Sequence, residues 1–490
     1  SVSRISKESP PIPGSLRISD ITLVLNSPNQ KFPKKKAAEV FHERVIRIYF
    51  GDRQFGRSRT SLIFTGRISK FEMGEGTMTV QARDIAFDRF RFNIADTMKV
   101  LTTRVFPDLP NGQESHLVPI VYGDCNIDPD FVANLATYTG GGPVPCYLVD
   151  ADAGGKWRYV VTQHISKEVI YVFVYGVQTA SGFTVVYGGA GATYDGVEMT
   201  VIDFDSDPRL SGKENELEVT AAVKGWTADG LQSGTLIENP VVVFKHILNQ
   251  YGNTPATDLQ TALWDAASDD AATASSGGDA LKCAFALVDR RWDFLEVISR
   301  FSQSFLMSFF NARDGTFGIY INTGETPPTP SLNISDEVDV IRDSFRVEFN
   351  EPPNLASILQ YNFLYQWVKD YFERQPDYTI AGEAAKFTDS SSSGGQRREN
   401  VNLWFVRHDS TALAVVSAYG ILYKEDRQFP SMELTPERFR EIDLNIWMGV
   451  THWQGVALSG GYVSKAFRVI GVQIDPRPGA TRIAVQSVDA

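Results

Sequence analysis

Apolar and polar residues alternate with a period of two along most of the chain, and that period predicts strands. Near the C-terminal end, Phe467, Val469, Ile470, Val472 and Ile474 form a β-branched apolar run. Pro476, Pro478 and Gly479 break it, and residues 483–488 alternate again. Proline lacks the ladder donor and glycine frees the backbone, so this stretch predicts a β-hairpin with a longer loop. A similar unit lies near the start. Residues 64–71 lead into Glu72-Met73-Gly74-Glu75-Gly76, and residues 77–83 return. Laid over the last hairpin at a constant offset, Gly66 falls on Gly471, Gly74 on Gly479, Val80 on Val485, Gln81 on Gln486 and Asp84 on Asp489. The return strands agree in parity. The outgoing strands do not: Ile68 falls on Gln473, which calls for a bulge. Two readings stay open, a pair of unrelated hairpins or one β-domain used twice.

Between the hairpins the pattern changes several times. Residues 1–13, with Pro10, Pro11 and Pro13, read as an arm or loosely held strand. Residues 15–26 (Leu16, Ile18, Ile21, Leu23, Leu25) and 45–50 are strand candidates, and Lys34-Lys35-Lys36 between them is a solvated loop. After a transitional stretch over 95–115, short strands at 146–150, 158–163, 169–174 and 182–187 are separated by Gly/Thr-rich turns such as 140–142 and 188–191. Residues 197–204 and 217–223 return the chain to the first β-domain. Asn239-Pro240 is a helix start with Val243, Phe244, Ile247 and Leu248 as its stripe and Gly252 as its stop. A second helix spans 258–267, and 268–279 is a soft loop. A strand candidate follows over 281–288. Residues 291–304 carry Trp292, Leu295, Ile298 and Phe301 at helical spacing, and Asp314-Gly315 turns a hairpin between 306–310 and 316–321. Pro327, Pro328 and Pro330 mark a boundary. Leu359, Tyr361, Phe363, Tyr365 and Trp367 form one face of the longest strand signal, over 355–367. Residues 388–395 read as a loop. Asp409 or Ser410 caps a helix to about Lys424, and strands near 431–435, 441–448 and 463–474 lead to the final hairpin.

With 490 residues, three or four domains are expected. Aromatic residues make up 12% of the chain, which leans towards β structure or broad contact surfaces. A formal charge of -12 argues against sequence-independent nucleic-acid binding, which needs surplus Lys and Arg. It suits a soluble particle component, or a surface that nucleic acid passes without sticking. Ser1-Val2-Ser3-Arg4 is no signal peptide, and no run approaches the about 20 apolar residues of a membrane span.

The chemistry is sparse. Cys125, Cys146 and Cys283 have no CxxC spacing; Cys125 and Cys146 could pair if oxidised, or stay buried thiols. Gly212-Lys213 lacks the upstream glycine of a phosphate loop, and Gly188-Gly189-Ala190-Gly191 has no dinucleotide-fold context. His42, His116, His164, His246, His408 and His452 are scattered, with no HExxH, and no GxSxG occurs. His246, on an apolar helix, reads as a structural histidine. No catalytic, metal or cofactor-binding residue is assigned, and no cofactor is expected. The stripe over 359–367 could stack on sugars, or pack in a core or against a neighbouring subunit.

Taken in order, the pieces resemble the hub proteins of bacteriophage tails: the N-terminal half of the tip attachment proteins of lambda-like phages and the central baseplate hub of contractile tails. The stretches that carry the resemblance are Val118-Pro119-Ile120-Val121-Tyr122-Gly123; Glu238-Asn239-Pro240 opening a helix that ends in Gln250-Tyr251-Gly252; Trp292-Asp293 opening a helix; the Arg313-Asp314-Gly315-Thr316 hairpin; Pro353-Asn354-Leu355; and the closing Phe467-Arg468-Val469 hairpin. The resemblance implies a mainly β chain with α+β: two related tube-type antiparallel β-barrel domains (1–112, completed by 197–237, and 336–490), an inserted small β module (113–196) and a small α+β domain (238–335). It also implies a non-enzymatic homotrimer in the virion tail tip, assembled in the host cytoplasm. Two barrels in each of three chains would match a sixfold tube. The implied partners are the distal tail or tube protein, the tape measure protein, a tip fibre or receptor-binding protein, genomic DNA passing through the lumen without specific binding, and, indirectly, the host envelope. Lambda-like tip proteins continue into a receptor-binding end, whereas this chain stops after the second barrel, so host recognition is expected on another protein. The alternatives from other classes are a tail-associated cell-wall or capsule hydrolase and a carbohydrate-binding module using residues 113–205.

Overall fold

The computed structural model describes the chain except residues 1–4, 9–19, 27–41, 51–60, 75–76, 86–89, 91–93, 110–111, 129–140, 152–156, 210–218, 253, 274–279, 289–292, 313, 323–328, 350–355, 381–396, 424–427, 436–437, 439–440, 444–445, 454–460, 476–479 and 488–490. The expectations for Pro10 to Pro13, Leu16, Ile18, Lys34 to Lys36, Trp292, Pro327, Pro328, Pro353 to Leu355, 388–395, Gly479 and Asp489 lie outside the described residues.

The chain opens with β1 (Ile5–Glu8), β2 (Asp20–Asn26), β3 (Val45–Phe50), β4 (Ser61–Gly74) and β5 (Thr77–Asp84). The last four form an antiparallel sheet in the order β2-β5-β4-β3. Strand β5 obeys the alternation, with Met78, Val80 and Ala82 buried and Thr79, Gln81 and Arg83 less so. β1 joins a different sheet, described below.

The next region holds β6 (Ile120–Tyr122), β7 (Asp124–Cys125), β8 (Val144–Ala151), β9 (Trp157–Thr162), β10 (Glu168–Val174), β11 (Val177–Thr179), β12 (Phe183–Tyr187), β13 (Thr193–Tyr194), β14 (Val197–Glu198), β15 (Thr200–Phe204) and β16 (Val219–Lys224). One sheet runs β11-β10-β16-β8-β9-β15-β12, with β7 also on β16. This corrects the expectation that 197–204 and 217–223 complete the first sheet. β15 pairs with β9 and β12, and β16 with β7, β8 and β10. All of β15 and five of the six residues of β16 are buried. Such runs need a central place in a sheet covered on both faces.

Helix α1 (Pro240–Gln250) starts as expected: the Asn239 side chain accepts from the Val241 and Val242 amides, and Pro240 sits where no donor is needed. Helix α2 (Thr261–Thr273) runs through the stretch expected to loop at 268–273, because Ala267 and Ala271 extend the buried face of Trp264. Then come β17 (Phe285–Leu287), which pairs with β6, α3 (Phe294–Phe305), β18 (Met307–Asn311) and β19 (Phe317–Ile321). The β18–β19 hairpin turns at Gly315, as the Asp-Gly signal predicts.

The remainder comprises β20 (Leu332–Ser335), β21 (Arg346–Phe349), β22 (Ile358–Gln366), β23 (Tyr371–Arg374), β24 (Asp377–Thr379), β25 (Arg398–Asn402), α4 (Asp409–Tyr423), β26 (Gln428–Leu434), β27 (Trp447–His452), β28 (Tyr462–Asp475) and β29 (Ala480–Ser487). β20, β27, β28, β29, β26 and β21 form a sheet in that order, and β1 adds to β28. The strand expected at 441–448 begins only at Trp447; Ile442 is buried in the turn before it.

Two main hydrophobic cores result. One gathers the inner face of the inserted sheet, the four α-helices of the described residues and β22 to β25. The other lies between the first sheet and the last, joining Ile21, Phe64 and Val80 to Met432, Val469 and Ile483. The mainly β fold with a small α+β part is as expected. Helix α4 and the aromatic strand β22 belong to the first core, so the chain between β21 and β26 packs away from the sheet it interrupts.

Candidate assembly interface

The first and last sheets are one unit built twice. In chain order, β2, β3, β4 and β5 have 7, 6, 14 and 8 residues. β26, β27, β28 and β29 also have 7, 6, 14 and 8 residues. The spatial order is the same, β2-β5-β4-β3 and β26-β29-β28-β27. The irregularities coincide too. The β4–β5 ladder slips at Ser69, between Ile68 and Lys70, and the β28–β29 ladder at Ile470, between Val469 and Gly471. Each slipped residue is the ninth of its strand, counting from Ser61 and from Tyr462. A second slip follows Ile48 in β3 and Val450 in β27, the fourth residue of each. Bulges at matching positions set the bend and twist of both sheets alike.

The true register differs from the constant offset read off the sequence. The turn between β4 and β5 holds residues 75–76, and that between β28 and β29 holds 476–479. With two more residues in the second turn, Gly66 matches Phe467 rather than Gly471, and Asp84 matches Ser487 rather than Asp489. The identities that suggested the repeat are therefore not equivalent positions. The parity of the return strands survives, because Met78, Val80 and Ala82 and Ile483 and Val485 all face inward.

The β18–β19 hairpin ties the two units together. On its first-sheet side, Asn311 Nδ2 donates to the Asp84 carboxylate. Gly315, with φ of +82°, turns against Thr65; a Cβ there would lie 3.0 Å from Thr65 Cγ2. On its last-sheet side, the buried Arg468 guanidinium lies 4.9 Å from the centre of the Tyr320 ring. Phe310 reaches into the core between the sheets, while Phe309 and Phe317 stack in the other core.

A second joint fixes the inserted sheet. Fully buried Arg407 donates to the carbonyls of Asn126 (2.8 Å), Ile127 (2.8 Å) and Tyr365 (2.9 Å). Nearby, Tyr122 Oη and His246 Nδ1 are 2.7 Å apart, and His164 stacks on Trp226 with centroids 4.4 Å apart. The Val121 amide donates to His164 Nε2. Burial pushes His164 down to about 3 and His246 to about 4, so both are neutral at pH 7. His246 is thus structural, as its helix position predicts.

Asp124 and Glu238 are raised above the usual carboxylate range by burial, and Lys224 and His408 act against the rise in both. No spacing or motif in the sequence singles out this pair. Cys125, Cys146 and Cys283 are buried free thiols raised by burial, the opposite of a reactive cysteine. Cys125 and Cys146 sit opposite Val223 and Val219 of β16, about 13 Å apart along the strand, too far for a disulfide. Among the described residues no group of His, Cys, Asp and Glu could hold a metal ion.

No protein-family model and no curated protein sequence matches the chain. Similar solved structures include the 43 kDa tail protein of prophage MuSo2 from Shewanella oneidensis, at 9% identity and a TM-score of 0.40, covering 100% of this chain and 94% of that one. A tail protein from Neisseria meningitidis MC58 is similar at 8% identity and a TM-score of 0.41, covering 99% and 92%. A chain of the virion of a native gene transfer agent particle is similar at 9% identity and a TM-score of 0.44, covering 78% and 86%. Each of these three solved structures is of a tail protein or a virion.

Proposed function

We propose that the chain is a structural, non-enzymatic component of a phage tail tip or baseplate hub. The observation that carries this reading is the doubled four-stranded unit, with equal strand lengths, equal order and bulges at the same positions. Two such units in each of three chains present six alike sheets, which is what a threefold assembly needs to sit on a sixfold tube. On this reading the homotrimer connects tube to tip and encloses the channel through which DNA leaves. It meets the distal tail or tube protein, holds the end of the tape measure protein, and carries a tip fibre or receptor-binding protein. The formal charge of -12 suits a wall that DNA slides past.

The test is the native mass of the purified chain, with a low-resolution image of the particle. The expected result is a trimer with six lobes around a channel. A monomer at all concentrations, or an even-numbered ring, overturns it.

A further inference from the structure

The last sheet carries a groove lined by both apolar and acidic side chains. It has a volume of about 770 Å³ and lies between the turn over 336–343 and the facing ends of β27 and β28. Its walls are fixed. The Trp453 amide donates to Asp336 Oδ2, the Ser335 amide to Asp339 Oδ2, and Arg438 to Asp339 Oδ1. The His452 ring stacks on Phe345 beneath it, with centroids 3.7 Å apart. Trp453 and Val463 line it and are 70% and 77% exposed. Two large apolar side chains held this far out of the protein beside one hollow mark a contact surface. The charge around them is acidic, from Asp336, Glu337 and Asp343 against a single Arg342.

The first sheet carries the complement. β3 lies at the edge of its sheet among the described residues, and its outer face is Val45, Arg47 and Tyr49. Val45 and Tyr49 are each 47% exposed. An apolar pair with an arginine between them matches Trp453 and Val463 with carboxylates beside them. We propose that the β3 face of one copy seats in the Trp453 groove of the next, head to tail. This rests on the trimer reading above and specifies its contact. Within a chain the two units meet through the shared core, and between chains through β3 and the groove, so the units alternate around a closed ring.

The test uses cysteine pairing and charge reversal on the full chain. The three native thiols are buried, so introduced cysteines report cleanly. Tyr49→Cys and Val463→Cys chains, mixed and then crosslinked with a short thiol reagent, should form a linked dimer of one chain of each kind; neither variant alone should do so. Arg47→Glu should weaken assembly about tenfold or more, and adding Glu337→Arg to the same chain should restore it. If the native chain is a trimer but the mixed crosslink is absent and Arg47→Glu and Trp453→Ala leave the mass unchanged, this contact is overturned and the trimer stands. Binding of a different tail protein in the groove of an intact trimer is that same overturning result. If the native chain is a monomer at all concentrations, the trimer reading falls, and this contact with it.

Discussion

Arg67 and Arg468 occupy the same position in two sheets 401 residues apart in the chain. Arg67 lies between Val45 and Arg83, and Arg468 between Trp447 and Gln486, each in the regular ladder ahead of the slipped residue. Their surroundings have diverged. Arg67 is half-buried and donates Nη1 to the Glu43 carbonyl at 3.0 Å. Arg468 is buried under Tyr320, and burial pulls it below the usual arginine range. The repeated unit was thus adapted to hold the β18–β19 hairpin on one side only.

That contact predicts an asymmetry. Tyr320→Leu leaves a buried cation without its ring and should cost about 1–2 kcal/mol. Arg468→Met removes the charge along with its desolvation penalty and should cost less. The double variant should be no worse than Arg468→Met alone, as measured by urea denaturation and a double-mutant cycle.

The other end of the hairpin is sensitive to backbone geometry. Gly315→Val forces a β-branched side chain into a left-handed conformation and against Thr65. A loss of about 2 kcal/mol or more is expected. Asp84→Ala leaves Asn311 without its acceptor and should cost about 1–3 kcal/mol. Both losses should appear as faster hydrogen exchange in β5 and β18 before the helices are affected.

Arg407 should be the most costly single truncation at the inserted sheet. Arg407→Ala orphans the Asn126, Ile127 and Tyr365 carbonyls and opens a cavity. About 3–5 kcal/mol is expected. Limited proteolysis should then release fragments cut near 123–128.

Acid should weaken the joint around Tyr122. Unfolded histidine takes up a proton near pH 6.5, whereas folded His164 and His246 wait until about 3 and about 4. Between these values the unfolded state binds more protons, so stability falls as pH falls, by up to about 1.4 kcal/mol per pH unit for buried His164. Asp124 and Glu238 act in the opposite sense, because their raised folded values favour the protonated, folded state as pH drops. Chemical denaturation from pH 7 to 4.5 should show the histidine slope, and His246→Gln should reduce it.

The elements that could be read from the sequence are those whose signal is local. The Asn239-Pro240 start, the Asp314-Gly315 turn and the alternation of β5 each follow from a few adjacent residues. The elements that could not be read depend on distant partners. β15 and β16 look like any apolar strands, and only the sheet that covers both their faces decides where they go. In the sequence the repeat shows through Gly66 and Gly471, yet the match in register is Arg67 with Arg468. Sheet equivalence is written in hydrogen-bond register, and two extra turn residues shift register without altering the hydrophobic parity. The groove beside Trp453 has no sequence signal, because its walls come from segments more than a hundred residues apart.

Strand β1 sets a schedule for the chain. Its residues Ile5 to Glu8 lie against Ile474 to Gly471, a pairing between segments far apart in the chain. Pairings that span so much chain form late and slowly. Until β1 docks, the flank of β28 along residues 471–474 is open to any neighbouring strand.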